Sequence, residues 1–361
     1  MKIICNKEVL INQIQRVQIA NIKSTLPILN NLLLEASDGY LTTLGTDMDI
    51  SIKYKQKMNI DRDGAVILPI KKLISIINSL SNEIEIDVDE NIKASISSEK
   101  FSSHLLGLRK DEYPIFPEVS WKVSFNLPLE SLLDMLKKTV FSASSDETFI
   151  PYCGILMILE EKKMILVSSD GHRLSYIKKD INIDKNIKVI IPIKTVQEVI
   201  RVFKGVNGEI KISLTDKEIC FEQENLLLIS RQLDGDFPDY NNVIPKEGLI
   251  ELNLNRDNFS SVIKRVSLMS DEKRNSIKFN LKKNLLLIST FTQEIGDAKE
   301  DIEVDYSGKD IEIAFNPKYI IDVLRILTSE KIIFSITEQA NKGMIRQEGE
   351  DFLHILMPMR I

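Results

Sequence analysis

The sequence predicts an α+β protein of three repeated domains, each with two helices packed on antiparallel sheets. Two observations predict this fold class. Short motifs recur along the 361 residues with a period of about 120, which is the signature of an internal repeat. Within each period, amphipathic helical segments stand between runs of alternating polar and apolar residues, the pattern of half-buried strands.

The repeat is clearest where a strand runs into a helix. Each copy carries a lysine just inside that helix, and the three are separated by 123 and 124 residues: Lys71, Lys194 and Lys318. Three more motif families recur at similar spacing: the helical segments that begin at Leu10, Leu132 and Phe259, the pairs Thr46-Asp47 and Ser169-Asp170, and the pairs Phe116-Pro117 and Phe237-Pro238. Together they predict domain 1 at residues 1–120, domain 2 at 121–248 and domain 3 at 249–361.

The elements follow one order in every domain. A short opening strand leads into the first helix, and several alternating strands follow. A further strand then runs into the second helix, before a closing set of strands. Residues 83–88 and 209–214 are two of the alternating runs, and acidic stretches that end in proline, at 110–114 and 234–238, join one domain to the next.

Composition excludes several classes of protein. Hydrophobic residues make up 43% and charged residues 28% of the chain, which is close to the globular average and excludes a disordered or fibrous protein. No apolar run approaches the ~20 residues of a membrane helix, and the N-terminus has no signal-peptide pattern. Cys5, Cys153 and Cys220 are odd in number and form no CxxC pair, so neither a disulfide framework nor a zinc site is expected. We therefore expect a soluble cytoplasmic protein without a metal or cofactor.

Charge is segregated between helices and sheets. The chain has a net charge of −6, yet the six predicted helical segments together carry +8 and the remainder −14. On a helical wheel, Lys194, Arg201 and Lys204 fall on one stripe and apolar residues on the opposite one. Solvated lysines are common on any single helix. A basic excess in five of six helices of an acidic protein predicts a polyanionic partner.

Nucleic-acid phosphates are the polyanion that this pattern fits. Binding through phosphate charge carries no sequence information and weakens as salt rises. The helices offer lysine and arginine but almost no aromatic platforms, which a single-strand binder would interleave with its basic residues. The sequence therefore favours a duplex that is recognised by shape.

Five motifs resemble those of the bacterial sliding clamp family, the beta subunit of DNA polymerase III. They are residues 25–31, 45–47, 169–174, 237–240 and 357–361. With the threefold repeat, the resemblance covers essentially the whole chain. It implies the DNA-clamp fold and a head-to-tail homodimer, closed into a ring of six domains with twelve helices lining the hole. At ~10 Å between helix axes, twelve helices leave a hole of roughly 28 Å, enough for duplex DNA and water.

The resemblance also implies a function without catalysis. The expected role is a processivity factor for DNA replication, which encircles duplex DNA, slides along it and tethers the replicative polymerase through a peptide-binding cleft. The implied partners are the alpha subunit of DNA polymerase III, a clamp loader, and other polymerases and repair factors that carry clamp-binding peptides.

Three sets of candidate site residues follow from the resemblance and the basic stripes. The partner-peptide cleft comprises Tyr152, Ser169, Gly171, His172, Arg173, Leu174, Pro238, Val243, Tyr319, Ile355, Met357, Pro358, Met359 and Arg360. The DNA-facing set comprises Lys23, Lys71, Lys137, Lys194, Arg201, Lys204, Lys264, Lys318 and Arg325. The dimer interface, where Lys100 would face acidic residues of domain 3, comprises Lys100, Phe101, His104, Leu268, Glu300, Asp301 and Glu303.

Two other functions are alternatives to a clamp. A non-ring DNA-binding scaffold of three repeats would show the same charge pattern. A hydrolase built on Ser169, Asp170 and His172 is disfavoured, because residues so close in sequence rarely converge as nucleophile and base, and no GxSxG elbow is present. A turn with a permissive Gly171, capped by Asp170, is the favoured interpretation of this segment.

Overall fold

The computed structural model describes residues 1–19, 26–271, 275–293 and 295–360. Within these ranges every repeat holds two helices, as the sequence predicted. The helices are α1 (Lys7–Val17), α2 (Ile70–Ser79), α3 (Leu129–Thr139), α4 (Ile193–Val202), α5 (Arg256–Ser267) and α6 (Pro317–Ile326). No helix in the described part of the chain is long and apolar enough to span a membrane.

The strands are short and numerous in all three repeats. Repeat 1 contains β1 (Lys2–Asn6), β2 (Asn31–Ser37), β3 (Tyr40–Thr46), β4 (Ile50–Lys57), β5 (Asn59–Arg62), β6 (Gly64–Pro69), β7 (Glu83–Val88), β8 (Lys93–Ser98) and β9 (Phe101–Leu106). Repeat 2 contains β10 (Val123–Pro128), β11 (Gly154–Glu160), β12 (Lys163–Ser169), β13 (Arg173–Asp180), β14 (Ile187–Pro192), β15 (Glu209–Leu214), β16 (Glu218–Gln223) and β17 (Leu226–Arg231). Repeat 3 contains β18 (Leu249–Asn255), β19 (Ile277–Lys282), β20 (Leu285–Thr292), β21 (Gly296–Glu303), β22 (Ile311–Phe315), β23 (Lys331–Thr337), β24 (Gly343–Arg346) and β25 (Phe352–Leu356).

The chain forms two compact units. The first comprises Met1–Leu133 and Lys194–Gln232. It contains a five-stranded sheet, β5-β1-β7-β8-β9, and an eight-stranded sheet, β10-β15-β16-β17-β4-β3-β2-β6. The second comprises Asp134–Ile193 and Leu233–Ile361. It contains an eight-stranded sheet, β14-β11-β12-β13-β25-β24-β23-β18, and a four-stranded sheet, β21-β20-β19-β22.

Each eight-stranded sheet combines strands of two neighbouring repeats. In the first, β17 of repeat 2 pairs with β4 of repeat 1, and Leu226 lies opposite Tyr54. In the second, β25 of repeat 3 pairs with β13 of repeat 2, and Phe352 lies opposite Ile177. We call these pairings the first joint and the second joint. The strands that correspond to β17 and β25 in repeat 1, and to β4 and β13 in repeat 3, are β9 and β21, and both are edge strands of their sheets.

Helix starts and apolar stripes follow from local sequence. The Asn6 side chain accepts a hydrogen bond from the Glu8 amide at 2.8 Å and so caps α1. Asn255 does the same for α5 through the Asn258 amide at 2.9 Å. The stripes face the core: in repeat 3, ring centroids lie 5.4 to 6.4 Å apart among Phe259, Phe279, Phe315 and Phe334.

One repeat-matched motif was predicted in the wrong register. The structure places Tyr113, not Phe116, in the position of Phe237. Isolated bridges pair Ile67 with Leu108 and Ile190 with Leu233, and an aromatic ring buried to 6% exposure follows each bridge, Tyr113 after the first and Phe237 after the second. The linker after Leu108 is one residue longer than the linker after Leu233, and the dipeptide Phe-Pro hid this difference.

Candidate functional site

The segment Ser169 to Arg173 is a tight turn held by its own side chains. The Ser169 hydroxyl donates to the Arg173 carbonyl at 2.7 Å and accepts from the Gly171 amide at 3.1 Å. The Asp170 carboxylate accepts from the amides of His172 and Arg173 at 2.9 and 3.0 Å. Gly171 has φ +84°, the left-handed region that glycine adopts without strain.

Repeat 1 contains the same turn. The Thr46 hydroxyl donates to the Ile50 carbonyl at 2.9 Å, and Asp47 accepts from the Ile50 amide at 2.7 Å. Met48, in the position of Gly171, has φ +81°. A hydrogen-bond pattern that recurs in a repeat without a histidine is a structural motif, so the Ser169 hydroxyl is a turn-forming group and not a nucleophile.

Arg173 is fixed by neighbours from two repeats. Its Nε donates to Asp170 at 3.0 Å and its Nη1 to Asp322 of α6 at 2.8 Å. The guanidinium lies 4.4 Å from the Tyr319 ring centroid and 5.7 Å from that of Phe141. At 8% exposure, its charge is matched inside the protein. Burial, followed by the Asp170 charge, raises the pKa of Tyr319.

An apolar surface lies beside this turn. Leu174 and Ile355 are buried at 2% and 0% exposure, and the half-buried Tyr152 and Val243 pack against the same cluster. These four were predicted as cleft residues. The cluster adds residues that the prediction missed, and they are Tyr176, Phe237, Tyr240, Leu249, Met344 and Leu353. For Tyr176 and Leu353 the available signal was alternation with Leu174 and Ile355, because residues two apart on a strand share a face.

The segment after β25 lies beside the turn and carries four of the predicted cleft residues. The Met357 amide donates to the His172 carbonyl at 2.9 Å, and the Met359 amide donates to the Ala314 carbonyl at 2.8 Å. Met357, Pro358 and Met359 are half-buried, as is Pro238, whereas Gly171, His172 and Arg360 are exposed. The structure thus gathers the predicted cleft residues within the second unit, with thioether and aromatic side chains presented to solvent.

A buried network of polar side chains lies on the face of β13 and β25 opposite Leu174 and Ile355. The Ser142 and Ser175 hydroxyls are 2.7 Å apart, and the Ser175 hydroxyl is 2.9 Å from His354 Nδ1. His354 is fully buried, and its Nε2 has no partner among the described residues. Burial, together with the nearby Arg173 cation, lowers the pKa of His354 from 6.5 to about 3, so the imidazole is neutral in the folded protein.

Five predicted DNA-facing lysines are free cations. Each is exposed, and no carboxylate of the described ranges lies within ion-pair distance of it: Lys71, Lys137, Lys204, Lys264 and Lys318. Arg325 is 68% exposed and lies 3.9 Å from Asp322. Lys23 lies outside the described residues.

The other two predicted cations have structural partners. Lys194 forms an ion pair with Asp47, which is 4% exposed. Arg201 donates to the Gln15, Arg16 and Gln18 carbonyls at 2.5 to 3.1 Å, and so caps the C-terminus of α1. In return, Arg16 donates to the Val202 carbonyl at the end of α4. The helical wheel could not reveal these partners, because they belong to another repeat.

The two edge strands carry exposed apolar side chains. Phe101 and Leu106 of β9 are 47% and 81% exposed, and Leu268 is 78% exposed next to β21. Phe291 and Ile295, at 76% and 52%, extend the apolar surface beside β21 and were not predicted. The remaining predicted interface side chains of these strands are Lys100, His104, Asp301 and Glu303, all exposed, and Glu300, which binds Arg265 at 2.5 and 2.9 Å.

Comparisons with known proteins agree along the chain. It matches the DNA polymerase III beta subunit family in three parts: the N-terminal domain at residues 1–117, the central domain at 126–239 and the C-terminal domain at 241–360. The beta sliding clamp of Chlamydia pneumoniae is 31% identical over 100% of this chain and 99% of its own. That of Bacillus subtilis is 30% identical over 100% of both chains.

Solved structures give the same result. The sliding clamp of Bartonella birtlesii superposes with a TM-score of 0.94 at 29% identity and covers 100% of both chains. The Bacillus subtilis sliding clamp gives a TM-score of 0.92 at 29% identity, covering 100% of this chain and 99% of its own. With its three matched domains, the chain belongs to the DNA polymerase III beta subunit family.

Proposed function

We propose that two copies of this chain close head to tail around duplex DNA and hold partner peptides in the cleft between Tyr152 and Arg360. As a beta subunit of DNA polymerase III, the chain is a sliding clamp, a processivity factor for replication without catalytic activity of its own. The observation that carries the proposal is the match of all three repeats to clamp domains. The matches do not favour a non-ring scaffold of three repeats.

The finer parts of the proposal are the site residues, the domain boundaries and the named partners. We assign domains to residues 1–120, 121–248 and 249–361. The alpha subunit of the polymerase, a clamp loader, and polymerases and repair factors with clamp-binding peptides would use the cleft. Their shared substrate is the bacterial chromosome, so we place the chain in the cytoplasm.

The joints within the chain supply a template for closure. The strand registers, aligned on the three repeat-matched lysines, make Tyr54 of β4, Ile177 of β13 and Glu300 of β21 equivalent to one another. Leu226, Phe352 and Phe101 are the first residues of β17, β25 and β9. Because Tyr54 pairs with Leu226 and Ile177 with Phe352, Glu300 of one copy should pair with Phe101 of the second copy.

This register brings opposite charges together. One step along the strands from Glu300 and Phe101, Asp301 lies opposite Lys100 of the second copy. Opposite charges on facing residues favour this pairing, and like charges would oppose a contact between two β21 edges. The contact is heterologous, and the proposed dimer closes it into a ring of six joints, two within each chain and two between the chains.

A crosslink tests the register. Ala298 and Ser103 would form a facing pair without mutual backbone hydrogen bonds, where Cβ atoms lie closest. We expect the double variant Ala298→Cys/Ser103→Cys to form a covalent dimer on mild oxidation. The control Ala298→Cys/Ser102→Cys places the second thiol on the other face and should crosslink poorly. Equal crosslinking of both variants, or none in the first, would reject the register.

Retention on DNA tests encirclement. A loaded ring should remain on closed circular duplex and slide off within minutes once the circle is cut, because nothing but topology holds it. A scaffold that binds by affinity alone would dissociate from both forms at the same rate.

The free lysines should set the salt dependence of DNA binding. Replacing all five with glutamine should lower the slope of the logarithm of DNA affinity against the logarithm of salt, by up to ~0.9 for each phosphate that is no longer neutralised. A control with the same charge change replaces exposed lysines of turns and strands: Lys162, Lys185, Lys217, Lys282 and Lys309. An equal effect of the two sets would show that the helices do not face DNA.

A further inference from the structure

The first helix of every repeat ends in a cation at one fixed position. Arg16, Lys138 and Arg265 each stand six residues after the helical residues Leu10, Leu132 and Phe259. Their common position places them at the joint that follows their repeat, where β4, β13 or β21 offers its edge.

Two of these cations reach into the next repeat. Lys138, at 6% exposure, binds Asp134 of its own helix at 2.9 Å and also binds Glu350 of repeat 3. Arg16 lies 5.8 Å from the Tyr54 ring centroid and donates to the Val202 carbonyl of repeat 2. Both cations therefore span a joint.

An acidic residue also recurs at one fixed position. Glu99, Glu224 and Glu350 each stand two residues before the first residue of β9, β17 and β25. Glu224 and Arg16 line one cavity of about 310 Å³ at the first joint. Glu99 and Glu224 also share a backbone conformation, with φ +50° and +51°.

Among the described residues, neither Arg265 nor Glu99 forms an ion pair with a residue of another repeat. Arg265 is 56% exposed and binds Glu300 of its own repeat through Nε and Nη2, which leaves Nη1 without a bond to any described residue. Glu99 is exposed and lines a cavity of about 650 Å³ together with Glu83 and Glu85. A cation from outside the chain would line this acidic cavity as Arg16 lines the cavity beside Glu224.

We propose that Arg265 of one copy binds Glu99 of the second copy when the dimer closes, while it keeps Glu300. This inference rests on the proposed head-to-tail closure, in which Glu300 faces Phe101 and so lies two residues from Glu99. The result is a carboxylate–cation–carboxylate trio like Asp134–Lys138–Glu350 at the second joint. The trio favours the heterologous pairing, because no contact between two like edges brings Arg265 to Glu99.

A double-mutant cycle on dimer dissociation tests this ion pair. We expect Arg265→Gln and Glu99→Gln each to raise the dimer dissociation constant about three- to tenfold at low salt, with less effect at 0.5 M salt. The double variant should be no weaker than the worse single variant, because both changes remove one interaction. The control Glu83→Gln removes a carboxylate from the same cavity and should show no coupling to Arg265→Gln.

The outcomes separate this ion pair from closure itself. If the two single effects multiply in the double variant, Arg265 and Glu99 do not interact and the inference is wrong, although the dimer stands. If the unaltered chain stays monomeric at micromolar concentration, closure fails and the ion pair fails with it. Both variants change exposed side chains, so an unchanged thermal midpoint of the monomer is expected and should be verified.

Discussion

The first and second joints share one backbone plan but present different surfaces. Both place the same hydrogen-bonded turn beside an antiparallel pairing of two repeats. At the second joint the outward face is apolar, with Tyr176 and Tyr240 rings 5.9 Å apart. At the first joint the corresponding pair is Lys53 over Phe116, at 4.5 Å.

Other exchanges follow the same direction. Arg231, which stands in the position of Met357, lies 3.6 Å from Asp49 of the turn. Met48, with φ +81°, stands at the position of Gly171 and adds a half-exposed side chain there. In the proposed function, a few side chains turn this repeated frame into a peptide site, because the frame supplies two packed edges and the side chains decide whether apolar surface remains available.

The largest expected effect comes from removing the segment after β25, which belongs to the proposed cleft at the second joint. Deleting residues 357–361 should weaken clamp-binding peptides at least ~100-fold, because the deletion removes the thioether surface and the strand-like anchor at His172. Fluorescence anisotropy with a labelled peptide measures this, and sedimentation should still show a dimer. A milder variant, Met357→Arg, introduces the residue type that Arg231 provides at the equivalent position of the first joint. Unchanged affinity in both would place the peptide elsewhere.

Low pH should destabilise the second joint more than the first. The unfolded chain has the ordinary histidine pKa of 6.5, whereas that of folded His354 is about 3. Below pH 6.5 the unfolded state therefore binds a proton that the folded state excludes. Stability is complete above pH 6.5 and falls toward pH 3 by about 1.4 kcal/mol per pH unit.

The first joint has no histidine at this position: Leu228 stands in the position of His354, and Ile52 in the position of Ser175. Hydrogen exchange at pH 5 should accordingly show weaker protection in β13 and β25 than at pH 7, with little change in β4 and β17. The variant His354→Leu should remove most of the pH dependence. An equal response at both joints would refute the role of this histidine.

Closing the mouth of the cleft should have an intermediate effect. A Cβ at Gly171 would lie 3.6 Å from Tyr152 Cε2, and the backbone there has φ +84°. Gly171→Met should weaken peptide binding about tenfold and destabilise the chain by about 1 kcal/mol. Gly171→Ala carries the same backbone cost without the long side chain, so comparing the two isolates obstruction of the cleft.

The smallest effect is expected from the reverse exchange in repeat 1. Met48→Gly relieves a left-handed residue but adds freedom to the unfolded chain, so we expect about 0.5 kcal/mol of stabilisation. Urea denaturation measures this difference. A loss of stability would show that the half-exposed Met48 side chain packs usefully.

Local pattern predicted the frame, whereas long-range contacts decided the roles of individual residues. The aligned lysines and apolar stripes sufficed for three repeats of two helices each, because periodicity is written within each segment. The sequence suggests Arg173 and Arg201 as anchors for partners, yet Asp322 and the end of α1 already bind them. Those partners lie 149 and up to 186 residues away, a distance at which a single sequence carries no pairing signal.

The hydrogen-bonded segment after β25 has a consequence for the exchange of partner proteins on DNA. Backbone hydrogen bonds hold Met357 and Met359, and two carboxylates hold Arg173, so the proposed peptide site is formed before a peptide binds. In that case the entropy cost of ordering falls on the incoming peptide. We expect differences in affinity among peptides to lie mainly in their dissociation rates. Under the proposed function, one partner enzyme would then replace another without a conformational change in the clamp.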